Sequence, residues 1–233
     1  MKISTVIPVY NEADNVSELT KRLERTFMKL GCDFEFNYVV QGKDGAREIL
    51  LKLKKNIPTI RMKYFPRPIG VGSAFRIGFD MISKDSTHVL TMDGDLNHQP
   101  EELPSFVSKM EETNCDIVIG SRKVAGGTMI QMPFYKKVIS GFTNIVLKSI
   151  FNIGVRDLTS GYRLFKRDAI TRIRKKITSK NFEVYPEILL LAKRKGFSMV
   201  EIPIKFKYRI HGKSKLNFFT SGIGYVRLIL RIL

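Results

Sequence analysis

Only two cysteines occur in the 233 residues, Cys32 and Cys115, far apart and in no metal-type spacing. That excludes a disulfide framework and reads as a chain of a reducing compartment. The three histidines, His88, His98 and His211, show no ligand spacing among themselves. No Ser-His-Asp or Cys-His arrangement emerges, and the glycine-rich lysine loop of the Walker type is absent. No uninterrupted apolar run is long enough to span a bilayer. The Met1–Pro8 stretch is too short in apolar length for a signal peptide and reads as a first strand. Internal repeats, low-complexity tracts and obvious linkers are missing. Acidic residues are scarce: 22 Asp and Glu stand against 40 Lys and Arg, a net charge of +18, and none follows Glu201.

Such a charge calls for an anionic partner: nucleic acid, anionic lipid or a phosphorylated substrate. The basic residues cluster from Arg163 to Lys180 and again after Glu201, where Lys205, Lys207, Arg209, Lys213, Lys215, Arg227 and Arg231 fall. Hydrophobic content of 43% and charged content of 27% describe a globular chain with a proper core. Strand signals over 2–9, 34–40, 58–64, 87–92 and 115–120 alternate with helical spacing. Val16, Leu19, Leu23, Phe27 and Leu30 form the first apolar stripe. Such alternation predicts an α/β fold, one open and mostly parallel sheet flanked by helices. Ligands of such sheets bind beyond the carboxyl ends of the strands. Tyr10-Asn11-Glu12, Gln41 to Asp44 and Asp93-Gly94-Asp95 all fall at such ends. Beyond Gly127, the spacing predicts helices over 133–151 and 182–192, a strand over 197–207 and a last apolar-basic segment over 216–233.

Asp93-Gly94-Asp95 is the most informative stretch. Two carboxylates flanking a glycine at a strand end suit a divalent cation and leave room for a diphosphate; an Asp-Gly turn is the plain alternative. Gly70-Val71-Gly72-Ser73-Ala74 opens a helix whose amides suit phosphate, or whose glycines serve helix–sheet packing. Arg122, at the end of the fifth strand, has a planar fork suited to phosphate. Asp157 to Arg163 forms a polar turn into a strand. Arg209 to Leu216 is a basic, glycine-containing loop. His98 reads as a supporting group, not a ligand.

In order along the chain, these segments resemble glycosyltransferase family 2, and within it the dolichyl-phosphate mannose synthase group. Ile7-Pro8-Val9-Tyr10-Asn11-Glu12 resembles the opening nucleotide-binding strand. Asp93-Gly94-Asp95-Leu96-Asn97-His98-Gln99-Pro100-Glu101 resembles D-A-D-L-Q-H-P-P-E. Gly120-Ser121-Arg122 with Gly126-Gly127, Pro133 to Ser140, Ser160-Gly161-Tyr162-Arg163 and Arg209 to Leu216 each resemble a further segment. The resemblance implies a GT-A fold, a single Rossmann-like sheet with amphipathic interfacial helices. It implies an inverting transfer of a hexose, mannose from GDP-mannose, onto dolichyl or polyprenyl phosphate, with Mg or Mn as cofactor. Carried over residue by residue, Asp93, Asp95 and Asn97 would hold the cation and the donor diphosphate. Pro8, Tyr10 and Glu12 would contact the nucleoside, with Asp44 and Gly70 as further donor contacts. Arg122, Lys136 and Ser140 would grip the acceptor phosphate. Arg209, Ser214 and Lys215 would close over the diphosphate.

Three departures bear on the expectation. Val39-Val40-Gln41-Gly42-Lys43-Asp44-Gly45-Ala46 stands where the family carries D-D-x-S-x-D-G-T, so the paired acids that help to read the base are gone. Asn97 replaces a Gln, and Lys136 an Arg. A UDP-sugar donor such as UDP-glucose therefore stays open. No nucleic-acid module is legible, so nucleic acid is not an expected partner despite the charge. The expected organisation is a catalytic domain over 1–215, including the helix near 133–151, and a membrane-interface helix over 216–233. An anionic membrane surface is the expected third partner, at the cytoplasmic face. The chain stops inside an apolar stretch, which fits either a peripheral enzyme or one continuing into membrane spans.

Overall fold

A computed structural model of the chain describes residues 1–208 and 218–232. In chain order its elements are β1 (Lys2–Tyr10), α1 (Ala13–Leu30), β2 (Asp33–Gln41), α2 (Ala46–Lys54), β3 (Ile60–Phe65), α3 (Val71–Asp80) and β4 (His88–Thr91). There follow α4 (Leu103–Thr113), β5 (Ile117–Ser121), β6 (Thr128–Ile130), α5 (Phe134–Phe151), β7 (Arg163–Lys166), α6 (Arg167–Ile173), α7 (Val184–Arg194), β8 (Met199–Pro203), β9 (Lys205–Lys207) and α8 (Phe218–Ile232).

Seven strands form one sheet in the order β3-β2-β1-β4-β7-β5-β8. All neighbours are parallel except β7, which runs antiparallel to β4 and β5. Alternation of side chains assigns each face its own core. On one face Ile3, Ile7, Leu90 and Val118 pack with α1, α2 and α4. On the other, Val6, Val89, Ile117 and Ile119 pack with α3, α5, α6, α7 and Leu228 of α8. The sheet is thus a three-layer sandwich with apolar side chains on both surfaces, as a mostly parallel sheet requires.

Pro8 sits inside the central strand β1 without cost to the ladder. Met92 N donates to Val6 O at 3.3 Å, so even-numbered residues of β1 turn their backbone groups toward β4. Pairing with β4 runs only from Ile3 to Val6, so the missing N–H of Pro8 lies past the end of that partner. The loop after β4 fills this space.

Two expectations change. The single strand over 197–207 divides: β8 pairs with β5, and past Pro203 the chain turns off to pair β9 with β6 in a separate two-stranded sheet. Ile204 N still bonds Ser121 O at 3.1 Å, and its own carbonyl accepts Thr128 N at 3.0 Å, so the switch of sheets falls on one residue. The basic block from Arg163 holds a strand and a helix, β7 and α6, with Arg163 buried, its other charges half-buried or exposed, and Leu164, Phe165, Ala169, Ile170 and Ile173 in the cores. Among the described residues no helix is long and apolar enough to cross a membrane.

Candidate active site

The ends of β1, β2 and β4 bring Tyr10, Gln41 and Asp93 to one rim of the sheet. Beyond β4 the chain makes a tight course in which Leu96 takes φ 59°. A branched residue in that left-handed region marks local strain held by its surroundings. The strain folds Asn97 back onto Asp95: Asn97 N donates to Asp95 Oδ1 at 3.2 Å and Asn97 Nδ2 to Asp95 Oδ2 at 2.7 Å. Asn97 Oδ1 is then left buried with no hydrogen-bond partner among the described residues. Asp93 is held from the other side by the Tyr185 hydroxyl, which donates to Oδ1 at 2.7 Å.

This donor set fits a hard divalent cation. The Asp93 and Asp95 carboxylates and the unsatisfied Asn97 amide oxygen fall in one short turn past β4, and all are oxygen ligands. Among the described residues no group of three or more His, Cys, Asp or Glu could hold a metal by itself. The fit is therefore to a cation that keeps water or substrate phosphate among its ligands, as Mg does. His98 Nδ1 lies 3.8 Å from Asp93 Oδ2, and neither ring nitrogen has a partner among the described residues. Burial lowers its pKa to about 4, so it stays neutral between the Tyr162 and Phe206 rings.

The predicted nucleoside contacts share the rim. Tyr10 is half-buried, and Glu12 is buried with Oε2 accepting from Asn15 Nδ2 at 2.6 Å. Pro8 lies in β1 beside the loop of Asp93. Asp44 is engaged structurally: Oδ2 accepts from Ala13 N at 2.7 Å and Oδ1 from Ala46 N at 3.2 Å, tying the starts of α1 and α2 together. Gln41 Oε1 likewise accepts from Ile69 N at 2.8 Å. At the start of α3, Gly72 N and Ser73 N point to Lys180 O at 2.8 and 3.3 Å, so those amides are already satisfied by protein. A Cβ on Gly70 or Gly72 would meet Lys180 O or Ser179 O at 2.3 and 2.4 Å, which is why small residues stand there.

Arg122 is buried and engaged. Its Nε donates to Asp157 Oδ2 at 2.7 Å, its Nη2 to Asp157 Oδ1 at 2.8 Å and to Thr159 Oγ1 at 2.9 Å. Burial pushes the Arg122 pKa down, but the charge and hydrogen bonds of Asp157 outweigh it and raise the pKa. Burial likewise opposes ionisation of Asp157, and the guanidinium holds its carboxyl far below the usual range. The same turn ties in α5: Asn144 Nδ2 donates to Thr159 Oγ1 at 3.1 Å and Asn144 Oδ1 accepts from Leu158 N at 2.7 Å. Ser140, one helical turn earlier, gives its carbonyl to Asn144 Nδ2 at 2.8 Å, and its Oγ is buried without a partner among the described residues. The structure thus brings Arg122 and Ser140 onto one network. Lys136 lies in the first turn of α5, its side chain outside the described residues, and Arg209, Ser214 and Lys215 lie wholly outside them.

Two supporting groups were not assigned a role by the sequence: Tyr185, which no motif marked, and Arg163, which was named only as part of the Ser160-Gly161-Tyr162-Arg163 segment and of the basic block. Tyr185 sits on α7, where its helical repeat reads as core. Arg163 is buried, donating to Tyr185 O at 2.7 Å and Leu158 O at 2.9 Å, and burial lowers its pKa to about 10.

A mostly parallel seven-stranded sheet of this order, flanked by helices on both faces, is the GT-A architecture of a nucleotide-sugar transferase. Residues 4–174 match the family model described as Glycosyl transferase family 2. The chain belongs to that family and is a glycosyltransferase. It is 30% identical over 217 residues to the polyprenol monophosphomannose synthase of Mycolicibacterium smegmatis, a match covering 91% of this chain and 80% of that protein. It is 32% identical over 238 residues to the dolichol-phosphate mannosyltransferase of Pyrococcus furiosus, where it spans 100% of its own length but 64% of the relative's. Among solved structures, glucosyl-3-phosphoglycerate synthase of Mycobacterium tuberculosis with Mn2+, UDP-glucose and phosphoglyceric acid superimposes with a TM-score of 0.66 at 15% identity, covering 99% of this chain and 78% of that one. The fold is what that last likeness shares.

Proposed function

We propose that the chain transfers mannose from GDP-mannose to the phosphate of a polyprenol, with inversion at the anomeric carbon. The observation that carries the reading is the cluster of Asp93, Asp95 and the unsatisfied Asn97 Oδ1 at the end of β4. The names of the two relatives supply the sugar and the lipid phosphate. Asp93, Asp95 and Asn97 would hold Mg or Mn. When bound, the cation neutralises the diphosphate that leaves with the nucleoside.

The chain's own residues then have limited chemical work. A phosphate monoester is already anionic near neutral pH, so its oxygen needs no strong base to attack. Neutral, enclosed His98 is in keeping with that. What remains is to hold two anionic substrates in line and to balance their charge. Pro8, Tyr10 and Glu12 bound the nucleoside end in this reading. Ser140 and the Arg122 network border the acceptor end. Lys136 would add positive charge toward the acceptor phosphate, and Arg209, Ser214 and Lys215, outside the described residues, would add charge and a hydroxyl toward the diphosphate. The +18 charge serves both anions and an anionic membrane surface.

The acceptor is a lipid, and the outward faces of two helices agree with that. Phe134, Tyr135, Val138, Phe142 and Ile145 of α5 are exposed, as are Ile223, Val226 and Leu230 of α8. These spacings make one apolar stripe on each helix. Residues 1–215 form the catalytic domain in this reading, and the segment over 216–233 lies in the membrane interface at the cytoplasmic face. The free thiols Cys32 and Cys115 agree with that side.

A second reading keeps the transferase and changes the donor. With Gln41 and Asp44 engaged by backbone amides, the end of β2 carries no acid pair to recognise guanine or ribose. Thermal stabilisation by GDP, UDP, GDP-mannose and UDP-glucose, each with and without Mn2+, separates the two. A metal-dependent shift with the guanine pair alone supports the mannosyl reading. A shift with the uridine pair alone replaces the donor, and no shift with any of them overturns the activity.

A further inference from the structure

Two carboxylates, Glu183 just before α7 and Glu187 within it, link α8 to the rim that holds Asp93. Glu183 is buried: its Oε1 accepts from Lys180 N and Asn181 N, both at 3.1 Å, and its Oε2 has no hydrogen-bond partner among the described residues. Gly224 of α8 lies against that oxygen, so closely that a Cβ there would come within 2.5 Å of it. Glu187, one turn on, accepts from Thr178 N at 3.0 Å and Ser179 N at 2.9 Å, and Arg231 of α8 pairs with its Oε1 at 2.5 Å. Both carboxylates therefore grip the segment 178–181 from inside while α8 covers them from outside. That segment in turn supplies Lys180 O to the start of α3. Phe75 of α3 meets the Tyr185 ring edge-on, centroids 5.7 Å apart. Tyr185 stands between Glu183 and Glu187 on α7, and its hydroxyl ends on Asp93.

We propose that Tyr185 is a positioning residue for the Asp93 carboxylate, and that the seat of α8 on Glu183 and Glu187 holds Tyr185 in place. The helix with an outward apolar stripe is thereby coupled to the donor end of the site. The proposal rests on Asp93 being a cation ligand, as argued above. Its physical basis is that a carboxylate about to share a cation must be aimed. A hydrogen bond from a fixed phenol removes one of its rotational freedoms and so fixes the direction in which the carboxylate is presented. Tyr185 itself is fixed by Phe75 on one side and by Arg163, bonded to its backbone carbonyl, on the other. A shift of α7 by a fraction of an ångström would then move the phenol relative to Asp93.

The test is a Mn2+ titration of the whole chain, read by the EPR signal of free Mn2+, with GDP or UDP saturating, whichever nucleotide binds. Circular dichroism and thermal unfolding accompany each variant. Tyr185→Phe keeps the ring and removes the hydroxyl; Mn2+ affinity should fall about 10-fold with unfolding little changed. Gly224→Leu has the better helix former, so any loss comes from the seat and not from the helix. It should weaken Mn2+ by about 3- to 10-fold on the same basis. In the double variant the two losses should not multiply, because both act through one contact. Arg231→Gln, at a half-exposed position, should give the same direction of effect and replaces Gly224→Leu if that variant does not fold. Wild-type Mn2+ affinity in Tyr185→Phe overturns the proposal, as does a double variant whose losses multiply. Asp93→Asn is the control. If Mn2+ binding survives it, the assignment of the cation site falls; if it abolishes binding while Tyr185→Phe does nothing, only the coupling falls.

Discussion

Arg122 and Asp157 face each other as a buried two-point ion pair, Nε to Oδ2 at 2.7 Å and Nη2 to Oδ1 at 2.8 Å, with both side chains almost wholly out of solvent. Arg122 N adds a third bond to the same carboxylate at 3.1 Å. Asp157 N and Arg156 N are in turn anchored on Glu201 at 2.9 and 2.7 Å. The pair thus fastens the end of β5 to the turn before β7 and to β8. Removing one partner leaves a buried charge without its counter-ion. Asp157→Ala should cost roughly 3–5 kcal/mol of stability, measured by urea unfolding. Arg122→Lys keeps the charge but loses the fork, and should fall between wild type and Asp157→Ala. Equal stability of all three would show that the pair is dispensable.

Asp95 is tied by Asn97 through two hydrogen bonds, and that arrangement predicts a graded series in transfer activity. Asp95→Ala should reduce transfer by about 10²–10³-fold, the scale seen when one preorganised electrostatic group is removed, while unfolding by urea stays near wild type. Asn97→Ala removes the orphaned oxygen and the brace on Asp95 together, and should raise the Mn2+ concentration needed for half-maximal activity. Full activity in Asp95→Ala would remove the cation site from the mechanism.

The opposite end of the sheet carries a carboxylate with a separate consequence. Glu35 is buried near the start of β2 and accepts from the hydroxyls of Ser4 and Ser83, from Ser83 N at 2.9 Å and from Asn37 Nδ2 at 3.0 Å, with Arg61 Nη1 at 3.4 Å. Burial opposes its ionisation, but these donors prevail and lower its pKa to about 2. A carboxyl whose folded pKa lies below its unfolded value stabilises the fold above the unfolded value. That stability fades as pH falls through the window down to the folded pKa. About 2–3 kcal/mol should therefore be lost between roughly pH 4.5 and pH 2. Glu35→Gln should be less stable at pH 7 and show a flatter decline in that window, by urea unfolding at stepped pH. Parallel pH profiles for the two proteins would contradict it.

Much of this architecture was legible in the residues because the burial pattern repeats with the element. The β-branched run of β1 and the stripe Val16, Leu19, Leu23, Phe27 and Leu30 of α1 state their period plainly; the first four are fully buried and Leu30, at the helix end, is half-buried. Asp93-Gly94-Asp95 alone reads equally as a turn after a strand, and it was legible as a candidate site only because the other segments of the chain fell in order around it. Strand direction was not legible. Arg163–Lys166 has the composition of any short central strand, and nothing local says that it runs against β4 and β5. The division of 199–207 into two sheets was hidden for the same reason, since Pro203 marks a break but not the partner beyond it. Tyr185 was hidden because one face of α7 serves the core and the site at once: its ring packs on Phe75 while its hydroxyl reaches Asp93, and periodicity records only the first. Arg122 shows the reverse case, a cation picked out for phosphate whose fork the fold engages with Asp157.

The outward stripes of α5 and α8 give the last prediction. Phe142 is 68% exposed, between exposed Val138 and Ile145, and Leu230 is 75% exposed, at the end of the row Ile223, Val226 and Leu230. Leu147 and Leu228 on the inner faces of the same helices are 1% exposed, so each helix has a core side and a bare apolar side. Water gains nothing from contact with the bare side, whereas burial of one large apolar side chain is worth about 1.5–3 kcal/mol. Phe142→Glu and Leu230→Glu should therefore each lower partition onto vesicles of anionic phospholipid by about 10-fold or more. Stability should barely change, because neither side chain contributes to the core. Raising the salt should weaken binding of the wild type too, since the basic residues act through a screened potential, but should leave the ratio between wild type and either variant nearly unchanged. Flotation through a sucrose gradient at two salt concentrations reads both effects. Wild-type flotation of both variants would show that the lipid acceptor reaches the site without these helices lying in the interface.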